Sequence, residues 1–114
     1  MAPSRLFRAS GHDLYLDLPL APWEAVLGAS VEVPTLEGRV VLKIPPGTQA
    51  GKQLRLSGKG LPRREGSPGD LYAQVLVQVP VAPGEAELEL YRQLAAQSKS
   101  NPREHFAQEH TDAR

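Results

Sequence analysis

The chain contains no cysteine, which excludes disulfide staples and thiolate metal sites and fits a reducing compartment such as the cytoplasm. It also lacks a surplus of charge. Thirteen Lys and Arg side chains stand against 13 Asp and Glu, for a formal net charge of +0, so no global field draws it onto nucleic acid or an anionic membrane. Any such binding has to be local. No apolar run is long enough for a signal-peptide core or a membrane span.

What is present suits one globular domain. Its 114 residues, 40% hydrophobic and 23% charged, are enough to bury roughly two thirds of the unfolded surface. Eleven prolines and 10 glycines favour short strands and many turns. Leu14, Leu16 and Leu18 alternate with Asp13, Tyr15 and Asp17, the pattern of a strand with one dry face. Pro22 to Leu27 reads as a short helix, with Pro22 in its first turn and Gly28 as its stop. A strand from Ser30 to Pro34 follows, with Val31 and Val33 on one side, and Leu36-Glu37-Gly38 reads as a tight turn. Val40, Leu42 and Ile44 continue the dry face, as do Leu54 and Leu56, with Glu32, Arg39, Lys43 and Arg55 opposite.

From Gly69 the longest strand carries Leu71, Ala73, Val75, Val77 and Val79 on one face, and Tyr72, Gln74, Leu76 and Gln78 on the other. Its second face is semi-apolar, which predicts a central or covered strand. The period then changes. Glu85 to Gln97 is an amphipathic helix with Leu88, Leu90, Tyr91 and Leu94 on its apolar side and carboxylates near its N-terminus. The expected fold is all-β, a small two-sheet β-sandwich of about five or six strands, with a short helix after the first strand and a C-terminal amphipathic helix. Residues 1–10 read as a lead-in, 11–83 as the β domain, 84–98 as the helix and 99–114 as a polar tail.

Chemistry is hard to find. Gly47-Thr48-Gln49-Ala50-Gly51-Lys52-Gln53 has a glycine spacing one short of a phosphate-binding loop, and Gln53 stands where Mg²⁺ needs Ser or Thr. It also joins two strand patterns, as a hairpin connection does. His12, His105 and His110 are scattered, Ser57 lacks a nucleophile-elbow context, and the carboxylates fall on solvated faces. No catalytic group, metal or cofactor is expected. Lys52, Arg55, Lys59, Arg63 and Arg64 lie close in sequence and read either as a solvated basic rim or as a phosphate-contacting patch; no aromatics interleave them for stacking on bases. Trp23 reads first as the anchor of its short helix on the sheet and second as a binding residue.

Five fragments in order, Leu20 to Ala29 (L-A-P-W-E-A-V-L-G-A), Val33 to Gly38, Ile44 to Gln49, Gly58 to Pro62 and Gly69 to Tyr72, carry a resemblance to a known family. Together they resemble the second C-terminal β domain of DnaJ-type co-chaperones, over roughly residues 11–97, and A-P-W-E-A is closest to the curved-DNA-binding branch. The resemblance implies a client-binding and dimerisation domain that holds unfolded or partly folded proteins for a DnaK-type ATPase chaperone. Trp23, Val26, Leu27 and Val31 would then meet clients, and Leu88, Leu90, Tyr91 and Leu94 would form a homodimer interface. In that family the better-marked client groove lies in a preceding, homologous domain, and further domains lie upstream, so Met1 is expected to fall inside a longer protein. No His-Pro-Asp tripeptide is present, so the part that stimulates the ATPase is not in this chain. The alternative is a nucleoid-associated DNA-binding module using the basic cluster.

Overall fold

Leu14, Leu16, Leu18 and Leu20 are all buried, forming one face of an eight-residue strand, β2 (Asp13–Leu20). In the computed structural model, which describes residues 6–107, it follows a short strand β1 (Phe7–Ser10) and leads into a helix, α1 (Pro22–Leu27). Next come β3 (Ala29–Thr35), β4 (Gly38–Ile44), β5 (Gln53–Leu56), β6 (Leu71–Val77) and a second helix, α2 (Glu85–Gln97). The chain divides into two compact units, Met1–Pro80 and Val81–Arg114.

The first unit is a two-sheet sandwich. One sheet has the order β1-β2-β6-β5, and the other is the β3-β4 hairpin. β2 and β6 pair in parallel, from Leu14 opposite Leu71 to Leu20 opposite Val77. A parallel pair needs a long crossover, and here the crossover contains α1, the hairpin and β5. The hairpin uses Val33 and Ile44, both at most 1% exposed, to cover the leucine face of β2 and Leu71, Ala73 and Val75 of β6, making one core. Val31, Val40, Leu42 and Leu54 pack around its edge.

Three local outcomes differ from the sequence pattern. The polar lead-in becomes a sheet strand from Phe7 onward, which pairs antiparallel with β2 through Leu16. The short helix therefore follows the second strand. β6 stops at Val77, because its partner β2 ends at Leu20; the last bond runs from the Gln78 N–H to the Leu20 carbonyl, 2.8 Å. Val79, expected to continue the dry face, is exposed.

β6 is central, and its second face is open to solvent. Arg8 of β1, Tyr15 of β2, Tyr72 of β6 and Arg55 of β5 lie opposite one another in one row across four strands. The two tyrosines stack with centroids 5.2 Å apart, a cross-strand pair of the kind that stabilises a solvated sheet face. Arg8 is held by Asp17 at 3.0 Å.

The β5–β6 connection is tied to the chain around the start of β2 mainly through backbone. Leu61 N–H donates to the His12 carbonyl at 2.8 Å, Gly60 N–H to Gly69 O at 2.8 Å, and Gly69 N–H to Leu61 O at 3.0 Å. There is no room for side chains. A Cβ on Gly60 would meet His12 O at 2.5 Å and Asp70 O at 2.6 Å, and one on Gly69 would overlap the His12 carbonyl outright. Asp70 completes the tie. Its carboxylate accepts from Gly58 N–H at 2.9 Å and Arg55 Nε at 2.7 Å, while its own N–H donates to Asp13 Oδ1 at 2.8 Å. The hydrogen bond from Gly58 outweighs the opposing effect of burial and, with help from Arg55 and Arg63, holds the Asp70 carboxyl below its ordinary value of 3.8.

In the second unit, Arg92 of α2 pairs with Glu85 at 3.1 Å and Glu89 at 3.4 Å, and Glu85 and Glu87 occupy the first turn, where the helix dipole favours them. No residue of this helix is fully buried.

Two outcomes follow from the tie. Gly69→Ala forces backbone apart where nothing flexible can yield, and should cost about 3 kcal/mol or more; thermal unfolding with an unchanged midpoint would contradict this. Because the folded-state pKa of Asp70 is depressed, its contribution is full above the unfolded value of 3.8 and is lost as pH falls through the folded value. Asp70→Asn should therefore destabilise the domain at neutral pH and flatten the acid limb of its stability profile below about pH 4. A variant that tracks the parent at every pH in denaturant titrations would count against the role assigned to this carboxylate.

Candidate functional site

α1 has only six residues, too few for a helix stable by itself, and it is fixed from behind. Ala25 is its buried residue, 5% exposed. The Ala25 carbonyl accepts from Gly47 N–H at 2.9 Å and Thr48 N–H at 3.0 Å, and the Val26 carbonyl accepts from Gly47 at 3.1 Å. At its start the Ala21 N–H donates to Glu24 Oε1 at 2.9 Å. At its end Gly28 takes φ 82°, and a Cβ there would lie 2.8 Å from the Ile44 carbonyl.

This latch overturns the first reading of Trp23. The helix is anchored by Ala25 and its own carbonyls, while Trp23, Val26 and Leu27 are 51%, 66% and 72% exposed. Their i, i+3 and i+4 spacing puts them on one helix face. Three large apolar side chains thus stand together on a rigid support. Val31, grouped with them from sequence, is not among them. It lies on the inner side of the hairpin, half-buried against the core. Sequence reasoning missed the latch residues Gly47 and Thr48, whose only signal was the P-P-G-T turn. Those same N–H groups, spent on α1, are unavailable to cradle a phosphate. Nor is the loop from Gly47 the hairpin connection expected from sequence: it leads from β4 of one sheet to β5 of the other, and the two strands do not pair.

The basic cluster is partly neutralised. Arg55 is bound to Asp70, and Lys59 lies 3.6 Å from Glu37 across a groove of about 210 Å³ between Leu36 and Pro62. Lys52, Arg63 and Arg64 have no carboxylate within 4.0 Å among the described residues. The four apolar residues of α2 split into two stripes. Leu90 and Leu94 are 65% and 60% exposed, whereas Leu88 and Tyr91 are half-buried. The Tyr91 hydroxyl is buried without a hydrogen-bond partner among the described residues.

Among the described residues no group of three or more His, Cys, Asp or Glu side chains could hold a metal, and no helix is long and apolar enough to cross a membrane. His12 serves through its backbone carbonyl, His105 packs edge-on against Phe106 at 4.7 Å, and His110 lies outside the described residues, as does the rest of the tail beyond 107.

Comparison with known proteins agrees with this architecture. Residues 1–80, the sandwich unit, match the model of the DnaJ C terminal domain. A curved DNA-binding protein of Pseudomonas putida (strain GB-1) is 50% identical over 103 residues, covering 90% of this chain and 32% of that protein. Proteins of the same name from Coxiella burnetii (strain RSA 493 / Nine Mile phase I) and Salmonella arizonae are 48% and 50% identical, over 90% and 93% of this chain. This chain spans about a third of the length of these curated relatives, 32% to 35%. The matched residues contain the parallel β2–β6 pair, the covering hairpin and the glycine tie, and the chain belongs to the DnaJ C-terminal domain family.

Proposed function

We propose that this chain is the client-binding and dimerisation part of a J-domain co-chaperone, holding unfolded or partly folded segments for a DnaK-type ATPase chaperone in the cytoplasm. Its role is binding and assembly rather than catalysis. One observation supports it most: Trp23, Val26 and Leu27 stand exposed together on a helix latched from behind. A domain that needed these side chains for its own core would have buried them; here Ala25 and the leucines of β2 already fill that role. An exposed apolar cluster of this kind suits short apolar segments of many sequences.

The exposed Leu90 and Leu94 on α2 support self-association. A helix of 13 residues is marginal in water, and a two-fold contact would bury both leucines twice over.

A second reading, a nucleoid-associated DNA-binding module, draws on the name of the relatives and on Lys52, Arg63 and Arg64, which have no carboxylate partner among the described residues. The net charge of +0 opposes it. Client binding is the reading favoured here.

An unfolded apolar peptide should quench or shift Trp23 fluorescence with weak affinity, on the order of 100 μM or weaker, since the cluster offers few anchors. Leu27→Ser should weaken binding about tenfold and leave the thermal midpoint nearly unchanged, because Leu27 is already exposed. Amide shifts confined to the loop from Lys52 to Arg64 would sink the assignment. For α2, Leu94→Asp should convert a dimer into a folded monomer, because it buries an unpaired carboxylate in each half of the contact, while Gln93→Asp should not. A monomeric parent at micromolar concentration, by light scattering coupled to size exclusion, rejects the dimer.

A further inference from the structure

At the open end of the four-stranded sheet, an open concavity of about 620 Å³ is lined by Asp13, Asp70, Arg55, Arg63, Ser57 and Ser67. Its charges sum to zero, but its hydrogen-bonding capacity does not balance. Each Asp70 oxygen already accepts one hydrogen bond, from Gly58 N–H and from Arg55 Nε, and Asp13 Oδ1 accepts one from Asp70 N–H. The Asp70 side chain is accordingly withdrawn, 17% exposed, while that of Arg55 is 62% exposed. Arg55 spends only its Nε on this bond, which leaves its terminal nitrogens for a ligand.

Arg63 makes no hydrogen bond or ion pair among the described residues, yet it is near enough to favour the ionised form of Asp70. The hydroxyls of Ser57 and Ser67 likewise donate to nothing among the described residues. Two guanidinium groups and two hydroxyls therefore line one space with donors to spare, where three of the four carboxylate oxygens already accept a hydrogen bond. A cation would meet two carboxylates already drawn to N–H donors and two guanidinium charges beside them. A tetrahedral oxyanion would find donors on several sides, in the fork geometry in which arginine binds phosphate.

We propose that this concavity binds a phosphate group, clasped by Arg63 and the free end of Arg55 and steadied by the Ser57 and Ser67 hydroxyls. A P–OH on the bound group would satisfy the remaining Asp13 oxygen. The site is independent of the client-binding reading, because it shares no residue with α1. It separates Arg55 and Arg63 from the other cations of the cluster: Lys59 is committed to Glu37, and neither Lys52 nor Arg64 lines the space.

The test is a titration of the chain with sodium phosphate, followed by amide and arginine side-chain NMR, with sodium chloride holding ionic strength constant to remove screening effects. Saturable shifts are expected at the amides of Ser57, Gly58, Ser67 and Gly69 and at the Nε–H of Arg63, with millimolar affinity. Arg63→Ala, at an exposed loop position, should weaken binding about tenfold, and Ser67→Ala by a smaller factor. A short DNA duplex forms the second arm. Saturable shifts at the same amides that vanish in Arg63→Ala mean that the site also accepts a backbone phosphodiester; a response to inorganic phosphate alone defines a free-anion or monoester site. Shifts with phosphate no larger than with chloride, or undiminished in both folded variants, would overturn the proposal.

Discussion

The crossing of the β5–β6 connection over the His12 carbonyl is the constraint on which the rest of this domain depends. Gly60 and Gly69 let two backbone segments approach to a distance at which any side chain would collide; the bond from Leu61 N–H to the His12 carbonyl then closes the contact, and two backbone bonds within the connection brace it. Because Asp70 accepts Leu14 N–H through its carbonyl, the crossing sets where β6 begins against β2. Register follows from that. Leu14 falls opposite Leu71, and every second residue on both strands faces the hairpin. A slip of one residue would turn all these leucines and valines to water.

Once that face is covered by Val33 and Ile44, the domain has satisfied its own core, and the apolar side chains of α1 are surplus to it. The latch from Gly47 and Thr48 makes the surplus usable. A cluster on a frayed segment would pay an ordering cost on binding, whereas α1 presents its cluster already fixed. Charge is handled in the opposite way. Arg8, Arg39, Arg55, Lys59 and Arg92 each have a carboxylate within 4.0 Å, which leaves little field for long-range attraction of polyanions and confines anion binding to pockets where donors exceed acceptors.

Local patterns in the sequence carried much of this. Leucine alternation placed β2 in the core, and Pro22 with Gly28 marked both ends of α1. The period change at Glu85 located α2 from first residue to last. What stayed hidden was partnership. Alternation says which face of a strand is dry and not which strand lies beside it, so the parallel β2–β6 pair had no local signature. β1 was obscured because Arg8 and Ser10 face water on an edge strand with only Phe7 turned toward the core. Trp23 misled through its size: the helix needed only a small buried residue, Ala25, because backbone bonds did the anchoring. Val31 was grouped with the helix by nearness in sequence, whereas Gly28 turns the chain and sends Val31 inward.

The measurement that most directly tests the central claim is suppression of aggregation by the α1 face. A chemically unfolded protein diluted out of denaturant scatters light as it aggregates. The parent chain in excess should reduce that scattering, and Val26→Ser with Leu27→Ser, folded as judged by an unchanged far-ultraviolet circular dichroism spectrum, should not. Equal protection by the parent and the double variant would show that clients, if held at all, are held elsewhere, and would contradict the account.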